Sequence, residues 1–311
     1  MKHTLLISEF LATPWAMMPE RMDAMASVLA RWAAGRQAEP EVMASVRADA
    51  AAVAARRGET DRAGNGAIAV LPMYGIVAQR GNMAGDISGP GAMSTQKFSQ
   101  SLRAALADDT IGGILIDVDS PGGSVYGVAE LADEIYQARG QKPVVAIANS
   151  LAASAAYWLA SAAGEFYVSP GGEVGSIGVY MAHEDWSKAL DTQGVKTTFI
   201  AAGKYKTEAN YAEPLGTEAR DYLQSRVNDY YGAFTRSVAK YRGVEVAKVR
   251  DGMGQGRVLG AGAAKAEGMV DDIATFDQVV KRMAKQIKQG GAAAGNNRAA
   301  LARREIEILN A

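Results

Sequence analysis

Three short stretches of the chain place polar side chains and free backbone amides where chemistry could take place. Residues 119–124 (DSPGGS) follow a short apolar run and precede a predicted helix. Residues 149–157 (NSLAASAAY) have the same setting, and residues 203–208 (GKYKTE) form a polar loop. In the first stretch, two consecutive glycines leave N–H groups uncovered at a helix start, where an anion or a developing oxyanion can bind. A tight turn with no chemical role is the alternative interpretation.

Ser154 is the candidate nucleophile in the second stretch. It begins a predicted helix of small residues, so its alanine neighbours leave the hydroxyl open to a substrate. The N–H group of Ala155 would point the same way, as an oxyanion donor. Serine is also a common helix N-cap, and that role remains open for Ser154 at this stage.

The composition restricts which residue could activate a serine. The chain has 311 residues, no cysteine and only two histidines, His3 and His183. A cysteine nucleophile, disulfides and thiolate metal sites are therefore excluded, and histidine bases are scarce. A lysine can act as the base only when it is neutral, which burial and hydrogen bonding to the amine favour. Lys204 and Lys206 lie in the third stretch, although most loop lysines are solvated charges.

Charge and hydropathy indicate an ordinary globular protein. The formal net charge is −1, with 48% apolar and 22% charged residues, so neither nucleic acid nor an anionic membrane is expected as a partner. Glu9 interrupts the first apolar stretch, and no run is long enough to span a bilayer. We expect a cytoplasmic protein that is not secreted. Without a His/Asp/Glu cluster or a phosphate-binding loop, no metal or cofactor is expected.

Apolar runs alternate with helical patterns along most of the chain, which predicts an α/β fold with mostly parallel strands. Short, nearly continuous apolar runs are typical of strands that are buried on both faces. The predicted strands are 67–77, 113–118, 143–148, 166–169 and 195–200. The predicted helices are 98–106, 124–139, 154–163 and 217–241.

The composition divides the chain into three parts. Residues 1–64 are rich in Ala, Met and Arg and predict a helical appendage, with helices near 19–34 and 41–57. Residues 65–288 form the main domain. Residues 289–311 read as a flexible linker followed by a charged helix. The polar stretches at each boundary are also candidate sites of self-cleavage.

The order of the motifs resembles the Ser-Lys signal peptide peptidase (protease IV) family, and within it the phage capsid-assembly proteases. Besides the three stretches, the matching pieces are GSIGV at 175–179 and GRVLGAGAAKAEGMVD at 256–271. The resemblance implies a ClpP/crotonase-like spiral of ββα units, in which mostly parallel buried strands are flanked by helices. It also implies a serine endopeptidase.

The resemblance assigns a role to each site residue. It implies that Ser154 is the nucleophile, that Lys206 is the general base and that Ser176 positions the lysine amine. It places the oxyanion hole at the N–H groups of Gly123 and Ala155. Gly122, Ala152 and Ala153 are expected to contact the substrate, which would pair with the Gly-rich turn like an added strand. Lys204 is the competing candidate for the base.

The resemblance also implies partners. Family members form homo-oligomeric rings in which one subunit's serine meets the next subunit's lysine, so we expect the site to be incomplete in a monomer. The expected substrates are capsid, portal or scaffold polypeptides, met in the host cytoplasm or inside a procapsid.

Four alternatives stay open. His183 could replace lysine as the base. A crotonase-like enzyme of this fold would hold a thioester enolate and need no Ser-Lys pair. The chain could be a cellular signal-peptide-degrading peptidase. It could also be a catalytically silent scaffold or minor capsid component.

Overall fold

The computed structural model describes residues 13–33, 67–80 and 93–289. In chain order, the elements begin with β1 Trp15–Met17, α1 Pro19–Ala33, β2 Ala67–Tyr74, β3 Val77–Ala78, β4 Met93–Ser94, α2 Thr95–Ala107, β5 Ile111–Ser120, β6 Gly122–Ser124, α3 Val128–Ala138 and β7 Val144–Ala153. They continue with α4 Ala155–Ala160, β8 Glu165–Val168, β9 Glu173–Gly175, α5 Ser187–Thr192, α6 Thr217–Arg242, α7 Val246–Asp251, β10 Val258–Gly260, α8 Ala261–Ala266, β11 Asp272–Ile273 and α9 at 276–289.

The large sheet has the order β10-β9-β7-β5-β2, and its neighbours pair in parallel except β9 and β10. β7 has two successive neighbours on one edge, because β8 pairs with its first half and β9 with its last three residues. The C-terminal end of β7 therefore lies beside β9, where the chain continues into Ser154.

A second, four-stranded sheet has the order β1-β6-β3-β4. Its short strands extend from the long ones: β2 leads to β3 and then α2, and β5 leads to β6 and then α3. Each repeat is thus a ββα unit that begins in the large sheet and ends in a helix. The predicted α/β fold of ββα units with a mostly parallel sheet is confirmed.

The large sheet is covered by helices on both faces. Along β5, Ile114 and Ile116 contact the main core, to which α2, α3, α4 and α6 contribute. Leu115 faces the opposite side, where it packs with residues of α9 such as Val279 and Met283. A strand buried on both faces needs apolar residues at consecutive positions, which explains the continuous run in β5.

Most predicted elements are confirmed, with shifted ends. The predicted helix at 124–139 begins only at Val128, because residues 122–124 form β6. The predicted strand at 143–148 continues to Ala153. The long helix predicted at 217–241 is α6.

The predicted strand at 195–200 is wrong. These residues form no strand, although Val195 and Thr197 are half-buried and their neighbours are exposed, as in an alternating strand. No strand in the described part of the chain pairs with them. A strand needs a hydrogen-bonding neighbour as well as β-branched residues. The sequence of this segment shows the β-branched residues but does not show whether a neighbouring strand is available.

Some predictions lie outside the described residues: the helix near 41–57, the boundary at residue 64, and the linker and charged helix beyond residue 289. Within the ranges that are described, no helix is long and apolar enough to cross a membrane.

Candidate active site

Ser154 lies at a strained turn between β7 and α4. Its backbone has φ 56° and ψ −118°, a conformation that non-glycine residues rarely adopt. Its side chain makes no capping hydrogen bond to α4, so the N-cap interpretation does not account for this serine. A serine on a strained strand-to-helix turn is the arrangement that presents a nucleophile in α/β-hydrolases.

The hydrogen bonds of Ser154 tie it to the segment after β9. Its N–H donates to the Gly175 oxygen at 2.7 Å, and its hydroxyl lies 3.4 Å from the Gly178 oxygen. Ser154 is only 1% exposed. In this structure the candidate nucleophile is therefore covered.

The Gly-rich turn is held beside Ser154 by Ser120, which the motif analysis did not single out. The fully buried Ser120 hydroxyl donates to the Gly75 oxygen at 2.6 Å and accepts from the Gly122 N–H at 3.2 Å. Gly122 has φ +94°, and a Cβ added there would lie 2.9 Å from the Ser154 Cβ. Glycine is thus required here both by conformation and by the close approach of the nucleophile. Ser120 stands inside the DSPGGS motif, which is the signal that could have identified it.

The two predicted oxyanion donors lie in the turn and in the helix start next to the nucleophile. Because the Gly122 N–H is bonded to Ser120, the Gly123 N–H is the amide of this turn that faces β1. Ala155 is the first residue of α4, and the first N–H groups of a helix have no acceptor within it. Gly123 follows the glycine that approaches Ser154, and Ala155 follows Ser154 in the chain, so both predicted donors belong to segments that meet at the nucleophile.

Ser176 is close to the nucleophile along the backbone. It follows Gly175, whose oxygen accepts from Ser154, and its own N–H donates to the Arg257 oxygen at 2.8 Å. Like Ser154 it has a positive φ, 53°, and it is buried.

Lys206 is not part of this cluster. It lies in an exposed turn closed by its own N–H and the Gly203 oxygen at 3.1 Å. Within the described residues, no hydrogen bond joins Lys206 to Ser154 or Ser176. The role predicted for Lys206 stays a prediction.

Lys204, the competing candidate for the base, forms hydrogen bonds with other residues. The Lys204 amine donates to the Tyr205 hydroxyl at 2.7 Å and to Glu218 at 3.1 Å. The hydrogen bond to Tyr205, which has the larger effect, and the hydrogen bond to Glu218 both raise the pKa of Lys204 above its usual value. A raised pKa favours the charged amine, which makes Lys204 the poorer candidate for a base.

His183 holds the loop that follows Lys206. Its Nε2 lies 3.0 Å from the Asn210 oxygen, and since a carbonyl only accepts, Nε2 carries the proton. The Asn210 amide in turn donates to the Thr207 oxygen at 2.9 Å. No hydrogen bond between His183 and Ser154 occurs in the part of the chain that is described.

The predicted substrate-contacting alanines are both fully buried. Ala152 and Ala153 lie in β7, opposite Val174 and Gly175 of β9. The strand position that we expected a substrate to take beside β6 is filled by β1 of the same chain.

Comparison with known proteins agrees with the motif analysis. Residues 136–290 match the model of peptidase family S49. The chain is 38% identical over 182 residues to the head-tail preconnector protein GP5 of Enterobacteria phage P21, which is 58% of this chain and 36% of that protein. It is 39% identical over 184 residues to the capsid assembly protease C of Escherichia phage lambda, which is 59% of this chain and 42% of that one. Among solved structures, a ClpP1 mutant from Listeria monocytogenes matches 66% of this chain and 91% of its own, with 15% identity and a TM-score of 0.42.

The chain spans less than half the length of the two phage relatives, whose matched shares are 36% and 42%. The matched family segment contains Ser154, Ser176 and Lys206. Residues 136–290 of this chain are therefore a peptidase S49 family domain.

Proposed function

We propose that this protein is a serine endopeptidase, with Ser154 as nucleophile and Lys206 as general base, that cuts polypeptides during phage capsid assembly. The observation that carries the proposal is the strained turn at Ser154, set against the Gly122–Gly123 turn. Backbone strain persists where the surrounding structure enforces it, and it is concentrated at functional sites.

The geometry suits acyl transfer. The Ser154 hydroxyl would attack the carbonyl carbon of a peptide bond while the Lys206 amine takes its proton. The N–H groups of Gly123 and Ala155 would donate to the oxyanion that forms. The protonated lysine would then give its proton to the leaving amine, and water would release the acyl group from Ser154 by the reverse route.

The lysine would come from a neighbouring subunit in a head-to-tail ring. Three features support this part of the proposal. Lys206 is exposed and has no hydrogen bond to Ser154 within the described chain. Residues 195–200 have strand composition without a partner strand in the described ranges. Phe199, Tyr205 and the 98% exposed Ile200 form apolar surface around the lysine turn, as expected of an interaction site.

The substrate class follows from the relatives. One is named as a capsid assembly protease and the other as a head-tail preconnector protein. We therefore propose coat, portal or scaffold polypeptides as substrates, bound in extended form beside the Gly-rich turn.

The test compares four forms of the protein: wild type, Ser154→Ala, Lys206→Ala and the matched control Lys204→Ala. Each is incubated with a phage coat protein, a phage scaffold protein and casein, and the fragments are identified by mass spectrometry. We expect cleavage by wild type and Lys204→Ala only.

Two other outcomes have distinct meanings. If Lys206→Ala cleaves and a fifth form, His183→Ala, does not, histidine is the base. If no form cleaves although light scattering shows assembled particles, the protein is a structural component.

A further inference from the structure

The edge of β6 beside the candidate nucleophile is occupied by residues 14–18, which we call the 14–18 segment. Ala16 lies opposite Gly123, and the pairing is antiparallel. At its two ends, the Met18 N–H donates to the Pro121 oxygen at 3.1 Å, and the Val125 N–H donates to the Pro14 oxygen at 3.4 Å. The segment is thus aligned with the whole Gly-rich turn.

In this register, the Ala16 carbonyl accepts a hydrogen bond from the predicted oxyanion donor, the Gly123 N–H. In an antiparallel ladder every second pair exchanges hydrogen bonds, and the pairs at Pro14 and Met18 are of that kind. Ala16 and Gly123 lie midway between them, so the Gly123 N–H donates to the Ala16 oxygen. A Cβ added at Gly122 would lie 2.3 Å from the Ala16 oxygen and 2.9 Å from the Ser154 Cβ. A carbonyl of the chain itself therefore stands beside the nucleophile.

The 14–18 segment is also bound along its other edge. The Trp15 N–H donates to the Tyr180 oxygen at 2.9 Å, and the Tyr180 N–H donates to the Trp15 oxygen at 3.0 Å. An extended peptide held by main-chain hydrogen bonds on both edges is the binding mode of a substrate added as a strand.

Side chains of the segment alternate between two sides. Ala16 points into the main core and is fully buried. Trp15 and Met17 pack with Met22 and Met25 of α1. The position facing the core thus accepts a small side chain, and α1 covers the two large ones.

This closed arrangement has a defect that favours its opening. The Tyr180 hydroxyl is buried under the same cluster and has no hydrogen-bond partner among the described residues. An unpaired buried hydroxyl is unfavourable compared with a hydrated one.

We propose that the 14–18 segment is a built-in pseudosubstrate: it occupies the peptide-binding groove and must be displaced before another polypeptide is cut. The inference rests on the proposed function, because it takes the groove beside Ser154 to be the substrate site. It also defines the substrate class as extended peptides with a small residue where Ala16 lies, between two large apolar residues.

A reversible crosslink tests the proposal in the full chain. Trp15 and Ser124 are opposite each other in a pair that does not exchange hydrogen bonds, where Cα atoms are close enough for a disulfide. Because the chain has no cysteine, the variant Trp15→Cys/Ser124→Cys can form only this disulfide within one chain, and non-reducing electrophoresis separates it from crosslinks between chains. We expect casein cleavage to be at least tenfold slower in the oxidised form than after reduction. The single variants Trp15→Cys and Ser124→Cys, treated alike, should show no such change.

A binding measurement separates this inference from the proposed function. In the Ser154→Ala background, a fluorescent hexapeptide with the sequence of residues 13–18 should bind the reduced double-cysteine variant and not the oxidised one. The same peptide with Trp in place of Ala16 should bind at least tenfold more weakly.

The outcomes are distinguishable. Equal casein cleavage by the oxidised and reduced forms would overturn the pseudosubstrate while leaving the peptidase intact. If no form cleaves casein, the peptidase proposal fails, and peptide binding that still depends on the redox state upholds the occupied groove. Peptide binding by both forms, or by neither, would overturn the inference.

Discussion

The conformation of Ser154 is unfavourable for any residue with a side chain. A non-glycine residue held at such a position costs about 1–3 kcal/mol, and Ser176 has a second positive φ nearby. The fold offsets this cost with hydrogen bonds from the N–H groups of both serines, to Gly175 and Arg257 respectively. In this conformation the Ser154 hydroxyl makes no capping hydrogen bond to α4 and lies 3.4 Å from the Gly178 oxygen.

Ser120 is expected to act through the turn that it holds. Ser120→Ala removes both the bond to Gly75 and the acceptor for Gly122, which loosens the position of the Gly123 N–H. Since loss of one oxyanion donor costs about 100-fold or more in kcat, we expect a loosened donor to lower kcat by about tenfold or more with KM little changed. The measurement is steady-state peptide hydrolysis.

The matched control is Ser161→Ala, which removes another buried serine bonded to a carbonyl, that of Trp158 at 2.8 Å. An equal fall in kcat for both variants, or a Ser120→Ala defect confined to KM, would contradict a positioning role.

Asp117 should make the stability of the fold depend on pH. Burial raises the pKa of this carboxyl above its ordinary 3.8, and the hydrogen bond from Tyr74 opposes the shift. A pKa raised in the folded state means that the folded chain holds the proton more tightly than the unfolded chain. The stability associated with Asp117 is therefore complete below pH 3.8 and is lost as the pH rises through the raised pKa.

Asp117→Asn should remove this dependence. We expect the Tm of the variant minus that of wild type to grow between pH 3.5 and pH 7, by a few degrees if the free-energy change is about 1 kcal/mol. Other acids contribute equally to the Tm of both proteins, so their effects cancel in the Tm difference. One of them is Asp272, whose pKa is lowered by Lys265, so that its contribution to stability increases with pH. A difference that is constant over this range would show that Asp117 has the same pKa in both states.

At the level of elements, long patterns were predictable and short strands were not. The apolar run of β5 and the stripe along α6 each extend over ten or more residues, so their patterns are visible in the sequence. β1 and β6 have three residues each and exist only because they pair with one another. Ser154 and the glycines lie in local motifs, so they could be predicted from the sequence. The occupied groove could not, because it depends on a pairing between segments about a hundred residues apart, which local patterns do not encode.

The end of α6 is expected to depend on one ion pair in which the arginine is buried and the aspartate is partly exposed. Arg242 is 8% exposed and forms two hydrogen bonds of 2.9 Å with Asp271, which also accepts from the Phe166 N–H. Arg242→Met should lower the free energy of unfolding by about 1.5–3 kcal/mol, since the bonds involve charged groups. The measurement is denaturant unfolding at pH 7.

Lys240→Met is the matched control, because it removes an exposed pair with Asp133 from the same helix turn. That change should cost no more than about 1 kcal/mol. Equal losses would mean that burial does not distinguish the two pairs.

For the whole molecule, the surface near Lys206 should control assembly. Ile200→Asp places a charge on a side chain that is 98% exposed, so the fold of one subunit is expected to remain unchanged. We expect the variant to elute as smaller particles in size-exclusion chromatography with light scattering, and its peptidase rate to fall at least tenfold. Ala104→Asp, on the exposed face of α2, is the control and should do neither. Normal assembly of Ile200→Asp would remove this surface from the interface.

Mixing two inactive variants tests whether the serine and lysine belong to different subunits. Ser154→Ala keeps a working lysine and Lys206→Ala keeps a working serine, so a site formed between them is intact. In an equal mixture of subunits that exchange freely around a head-to-tail ring, half of the serines are intact, and half of those meet an intact lysine. We therefore expect about a quarter of the wild-type rate.

The control mixes the double variant Ser154→Ala/Lys206→Ala with Ser154→Ala and should be inactive. If the first mixture is also inactive although subunit exchange is shown by mass spectrometry, each lysine acts on the serine of its own chain, and the 203–208 loop must then move toward Ser154.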